Sequence, residues 1–279
     1  MTKLITLAAA AIAMASAVAA DVMDEIAETG VIKLGYRTDA PPFSYNSALG
    51  EPTGLAVALC RDAALQVRDD LNLQALKVDY VPVTASTRFA KIQSGDVHLH
   101  CGPTTATLSR RASLDFSIPY FIDGSSVVFR SGPTESVDDL YGATVGVLDG
   151  TTTEQVVADL NRARGLNLDV VTYEDHFAGL TALHDGELAA YFGDQAILRY
   201  QLGEMRPTIP LSFSPSQFSF EPYALTMKRG ESRMRLAVDT ALSKIFASGA
   251  IYTHINAAMG EVQLSDLALA VYQVVTLPD

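Results

Sequence analysis

The stretch His100-Cys101-Gly102-Pro103-Thr104-Thr105-Ala106-Thr107-Leu108-Ser109-Arg110-Arg111 decides how the rest of the chain is read. An apolar run over 97–100 enters it and reads as a strand. Gly102-Pro103 turns the chain, threonines follow, and a short helical turn carries two arginines. Hydroxyls and free backbone N–H groups at a helix start bind anions. An arginine one or two turns on adds a planar fork that grips a carboxylate through two hydrogen bonds. The segment therefore fits a carboxylate clamp. Taken alone, it fits a threonine-capped turn with solvated arginines equally well.

Upstream, 31–36 reads as a strand with Arg37 at its C-terminal end, and 55–67 is apolar at helical spacing. Residues 77–82 alternate as a strand, and a helix capped at Ser86 or Thr87 runs through Gln93 to a stop at Gly95. Strand-helix-strand-helix-strand is the mark of a parallel α/β sheet. Downstream the style repeats without repeating the sequence. A strand over 144–148 leads through Gly150-Thr151-Thr152 into a helix over 155–164. A strand over 168–173, a helix over 177–184 and a strand over 189–192 ending at Asp194 complete the second unit. Residues 222–227 read as one apolar strand, with helices over 232–248 and 251–259 after it. The mildly apolar tail after residue 260 is assigned no element.

Ligands of open α/β sheets sit outside the carboxyl ends of the strands. Those ends carry Arg37, the loop into Arg88, the opening stretch, Gly150-Thr151-Thr152 and Asp194. Five strand ends aim polar groups at one place, and this convergence says more than any single motif.

The chain has 279 residues, is 48% hydrophobic and has a formal net charge of −12, with a mean hydropathy of +0.18. These values fit a packed globular protein and argue against disorder. Its acidity makes nucleic acid a poor partner, and any anion site must build its own local positive field. Met1-Thr2-Lys3 followed by an alanine-rich apolar run to Ala20 reads as a secretory signal peptide cut after Ala19 or Ala20. The mature protein is then expected outside the cytoplasm. Cys60 and Cys101 are the two cysteines, and an exported pair is expected to form a disulfide. No metal-ligand spacing, nucleophile elbow or Ser/His/Asp order occurs, so neither metal nor cofactor is expected.

Gly30 to Arg37, Pro42-Phe43-Ser44-Tyr45, Arg88 with Gln93-Ser94-Gly95-Asp96, Cys101 to Arg110, Asp115-Phe116-Ser117, Gly150-Thr151-Thr152, Asp175-His176 and Asp194 occur in this order. In that order the chain, over about residues 24–260, resembles the periplasmic solute-binding proteins of amino-acid ABC importers. Within the polar amino-acid family it is most similar to the glutamate/aspartate-binding branch. The resemblance implies an α/β two-lobe, Venus-flytrap fold with two crossing strands as hinge. Lobe 1 is expected over 21–127 plus 225–279 and lobe 2 over 128–224. It also implies a monomer that captures an amino acid in the periplasm and delivers it to ABC importer permease subunits.

By the same resemblance, Arg110 and Thr105 hold the ligand α-carboxylate, Thr151 or Thr152 reaches it from lobe 2, and Asp194 accepts the α-ammonium. Arg37 and Arg88 put two cations where the ligand side chain lies, which implies an acidic side chain, with His176 near it. Two departures bear on the ligand: Ala85 and Pro103 stand where the branch has serine hydroxyls. Pro103 also lacks a backbone N–H. Two other classes share the scaffold: an enzyme similar to cyclohexadienyl dehydratase, which needs a free general acid or base, and a ligand-sensing or accessory periplasmic protein.

Overall fold

A computed structural model describes residues 21–130, 136–261 and 266–278; the expected signal peptide lies outside the described residues. Two five-stranded sheets carry the architecture. In the first, Lys77–Val83, Val31–Arg37 and Leu99–Cys101 run parallel, and Thr226–Lys228 and Leu114–Phe116 complete the sheet in that order. In the second, Asp169–Tyr173, Thr144–Leu148 and Ala190–Asp194 are parallel, and Ser125–Arg130 and Leu211–Phe213 follow. Both sheets thus place their first parallel strand between the second and third. This order reverses the winding beside the first strand and opens a crevice at its carboxyl end.

Each lobe has its own core. Helix Leu55–Asp70 buries Leu55, Leu59, Cys60, Ala63 and Val67 along one face, the spacing that packs a helix onto a sheet. Cys60 on this helix is bonded to Cys101 at the end of the central strand, with Cα atoms 5.9 Å apart. In the second lobe Val127, Val145, Val147, Val157 and Phe192 form a separate cluster.

A short antiparallel ribbon joins the lobes, Phe121–Asp123 with Glu221–Tyr223. The apolar segment expected as one strand over 222–227 is split, because its two ends pair with different sheets. Tyr223 pairs with Phe121 in the ribbon, whereas Thr226 pairs with Phe116 and His100 in the first sheet. Between them the Ala224 and Leu225 N–H groups donate to Thr104 O at 3.0 Å and Ser117 Oγ at 3.0 Å, so the break leaves neither N–H unpaired. Val127, the last residue of the first stretch expected in lobe 1, pairs with Phe192 inside the second sheet. The tail forms a helix, Asp266–Val275. Its Tyr272 packs 5.0 Å from Phe246, centroid to centroid, and donates to Tyr120 O at 3.1 Å.

Candidate functional site

The crevices of the two sheets face each other. Arg37 and Gly102 to Thr105 end the strands of one, and Gly150 to Thr153 and Asp194 end those of the other. The lobes touch across the cleft. Arg88 Nη2 donates to Gly150 O at 3.2 Å, and Gln201 Nε2 donates to Asp39 O at 2.9 Å. Arg37, Arg88, Thr105, Arg110, Thr151, Thr152, His176 and Asp194 all line the same cavity.

The three arginines meet different partners. Arg37 is buried, and its Nε and Nη2 donate to Asp39 Oδ1 and Oδ2 at 2.6 Å each. Burial alone would raise the Asp39 carboxyl, but the Arg37 charge and hydrogen bonds outweigh it and hold the group below its ordinary value. Arg88 is equally buried, yet its Nε and Nη1 have no hydrogen-bond partner among the described residues. Burial first, then repulsion from Arg110 and Arg37, disfavours its charged form. Arg110 Nη1 donates to Thr105 O at 3.0 Å. The Arg88 and Arg110 guanidiniums lie 4.2 and 5.1 Å from the Phe89 ring centroid.

Thr105 faces Tyr223 in an antiparallel bridge whose hydrogen bonds are made by its neighbours, Ala106 N–H to Pro222 O and Ala224 N–H to Thr104 O. The Thr105 N–H and C=O therefore turn away from Tyr223, toward the side where Arg110 sits. Its hydroxyl donates to Glu221 Oε2, and Thr152 Oγ1 donates to the same oxygen at 2.8 Å. Ser219 donates to Glu221 Oε1 at 2.6 Å. Thr151 is the N-cap of helix Thr152–Arg164; its hydroxyl donates to Leu148 O at 2.8 Å and accepts from the Glu154 N–H at 3.2 Å. All three threonine hydroxyls are engaged by the protein: Thr105 and Thr152 bond the buried Glu221, and Thr151 caps the helix. Arg37, expected as a cation at the ligand side chain, is paired with Asp39 beside it. The Thr152 and Thr153 N–H groups, in the first turn of helix Thr152–Arg164, have no acceptor within the helix, and both residues line the cavity; a helix start of this kind suits an anion.

Asp194 accepts from Thr153 Oγ1 at 2.9 Å and from the Tyr223 hydroxyl. Burial, then the charge of Glu221, raises its carboxyl. Tyr223 Oη also lies 3.3 Å from Asp123 Oδ2. The Tyr223 hydroxyl is thus shared between two carboxylates. Burial and the neighbouring Asp194 push Asp123 up to about 7, against the lowering effect of the hydrogen bond from Tyr223. Sequence reasoning missed Asp39, Asp123, Glu221 and Tyr223. The available signals were an acid two residues beyond a strand-end arginine and a lone glutamate opening an apolar segment.

Two histidines are buried here. His100 lies under Gly102, where an added Cβ would stand 2.9 Å from its ring, so only glycine lets the chain cross at this height. Burial, then Arg88, Arg37 and Arg110, pushes His100 well below its ordinary value. His176 is within 3.2 Å of the Tyr191 hydroxyl through Nδ1. Burial pushes it down to about 4; Asp39 opposes this and Arg37 adds to it. Between pH ~6.5 and ~4 the unfolded chain binds a proton at this side chain and the folded chain does not. Stability therefore falls as pH drops through that window, by up to about 3 kcal/mol from this group. The raised Asp123 acts oppositely, losing stability as pH rises toward 7. Urea unfolding of wild type and His176→Gln at pH 7, 5.5 and 4 isolates the histidine: the substitution should flatten the acid-side loss. An equal loss in both proteins would contradict the assignment.

Two α/β lobes meeting over a cleft that carries arginines, carboxylates and an open helix start define a solute-binding protein of the amino-acid type. The chain belongs to the bacterial extracellular solute-binding proteins, family 3, whose model matches residues 32–260. It is 30% identical over 231 residues to the L-glutamate/L-aspartate-binding protein of Pseudomonas aeruginosa, covering 82% of this chain and 76% of that one. The glutamate/glutamine/aspartate/asparagine-binding protein BztA of Rhodobacter capsulatus is 30% identical over 222 residues, covering 78% of this chain and 64% of the relative. Among solved structures, an ancestral arginine-binding protein bound to arginine shares the fold. Its TM-score is 0.74 at 24% identity, over 83% of this chain and 99% of that one.

Proposed function

We propose that the protein captures an amino acid with an acidic side chain, glutamate- or aspartate-like, in the periplasm and hands it to the permease of an ABC importer. The observation that carries this reading is the opposition of Arg110 and Asp194 across one cleft, with Arg88 contributing two buried, unpartnered nitrogens. The α-carboxylate meets the Arg110 fork, the Thr105 N–H and the start of helix Thr152–Arg164. The α-ammonium meets Asp194. Arg88 meets the side-chain carboxylate, beside His176. A ligand that bridges both lobes stabilises the closed arrangement by its differential affinity for it. The relative from Pseudomonas aeruginosa supports the acidic ligand class.

A thermal-shift screen of the chain from Asp21 onward against all common amino acids and dicarboxylates, followed by calorimetry, tests this. L-Glutamate or L-aspartate should stabilise the protein and bind at micromolar Kd or tighter, about −8 kcal/mol or better. Stabilisation by basic or apolar amino acids alone would overturn the acidic assignment.

A further inference from the structure

The ion pair behind the side-chain end of the cleft has a consequence for selectivity. Arg37 lines the cavity, but two of its three nitrogens are already engaged by Asp39, with both bonds at 2.6 Å. The pair is shielded from water, since the side chains of Arg37 and Asp39 are only 3% and 13% exposed. Asp39 is not itself on the cavity wall. A ligand carboxylate beside Arg37 therefore meets a cation and, just behind it, an anion whose repulsion offsets most of the attraction. Arg88 is left as the one cation at this end without a carboxylate partner among the described residues; its free nitrogens bond a carboxylate more strongly but can also donate to an amide carbonyl.

We propose that Asp39 is a specificity-positioning residue: by neutralising Arg37 it lets the cleft take side-chain amides, the glutamine and asparagine class, alongside the corresponding acids. This rests on the reading that the cleft binds an acidic amino acid. It also assigns Asp39 a role beyond holding a buried arginine in place. A purely structural role would change the affinity for all ligands together and leave their ratio alone.

Calorimetric Kd values for L-glutamate and L-glutamine, expressed as a ratio, test the inference. In wild type the two should agree within about tenfold. Asp39→Asn frees the Arg37 charge and should raise the preference for glutamate by at least about tenfold, a modest share of what an unscreened unit charge supplies at this range. Arg37→Gln leaves Asp39 unopposed and should lower the same preference by about tenfold or more, which keeps the test open if one variant folds poorly. A wild-type preference beyond tenfold in favour of glutamate, or a ratio unmoved in Asp39→Asn, overturns the inference while glutamate binding itself stands. Absence of binding by glutamate, aspartate, glutamine and asparagine alike overturns the underlying reading and takes this inference with it.

Discussion

Arg110→Ala is expected to weaken L-glutamate binding by between roughly thirtyfold and several thousandfold, the loss of about 2–5 kcal/mol that follows truncation of one member of a buried charge pair. Arg110 lies between Thr105 O, which orients it at 3.0 Å, and the Phe89 ring at 5.1 Å. Those contacts fix the fork before a ligand arrives, so little side-chain entropy is lost on binding. Removing it leaves the α-carboxylate with backbone donors alone and leaves Asp194 and Glu221 with one countercharge fewer, since Arg110 interacts with both. Arg110→Lys should recover only part of the loss, because an ammonium cannot reproduce the two-bond fork. Calorimetry on the three proteins measures this, and a change under about threefold in Arg110→Ala would remove Arg110 from the carboxylate-binding role.

The second large effect is on stability. Cys60 and Cys101 close a loop with a sequence separation of 41 residues, and cross-linking a loop of that size restricts the unfolded chain by about 4 kcal/mol. Both cysteines are fully buried, so a Cys60→Ala/Cys101→Ala double variant also loses packing between helix Leu55–Asp70 and the central strand of lobe 1. For a chain of this size the melting temperature should fall by roughly 8–16 °C. A loss below about 2 °C would mean that the bridge does not constrain the chain. Because Cys101 immediately precedes the Gly102–Pro103 turn, the bridge also ties the base of the segment carrying Thr105 and Arg110 to the lobe 1 core.

What the sequence discloses here is mostly local. Strand and helix alternation, stops at Gly30, Gly95 and Gly186, and polar residues at strand ends are written within windows of a few residues. Strand ends point to Arg37, Arg88, Thr105, Arg110, Thr151, Thr152 and Asp194, and the family resemblance adds His176; all eight line one cavity. What escaped depends on long-range pairing. Glu221 draws hydroxyl bonds from Thr105, 116 residues away, and Thr152, 69 residues away, and no local pattern announces that competition. The split at Tyr223 and Thr226 reflects which strands happen to be neighbours, not a change in composition. Asp39 is the intermediate case: its position two residues from Arg37 was visible, but whether the acid points at the guanidinium or at solvent is decided by the packing around both. The opening stretch ends between its two readings. Thr107 caps the short helix, accepting from the Arg110 N–H at 3.1 Å, while Thr105 and Arg110 face the cleft.

The most direct test is a crystal structure of the chain from Asp21 onward with L-glutamate bound. The expected result places the α-carboxylate within hydrogen-bond distance of both Arg110 and the start of helix Thr152–Arg164, the ammonium on Asp194, and the γ-carboxylate on the free nitrogens of Arg88. A ligand seated with its ammonium away from Asp194, or outside the cleft between the lobes, would contradict it.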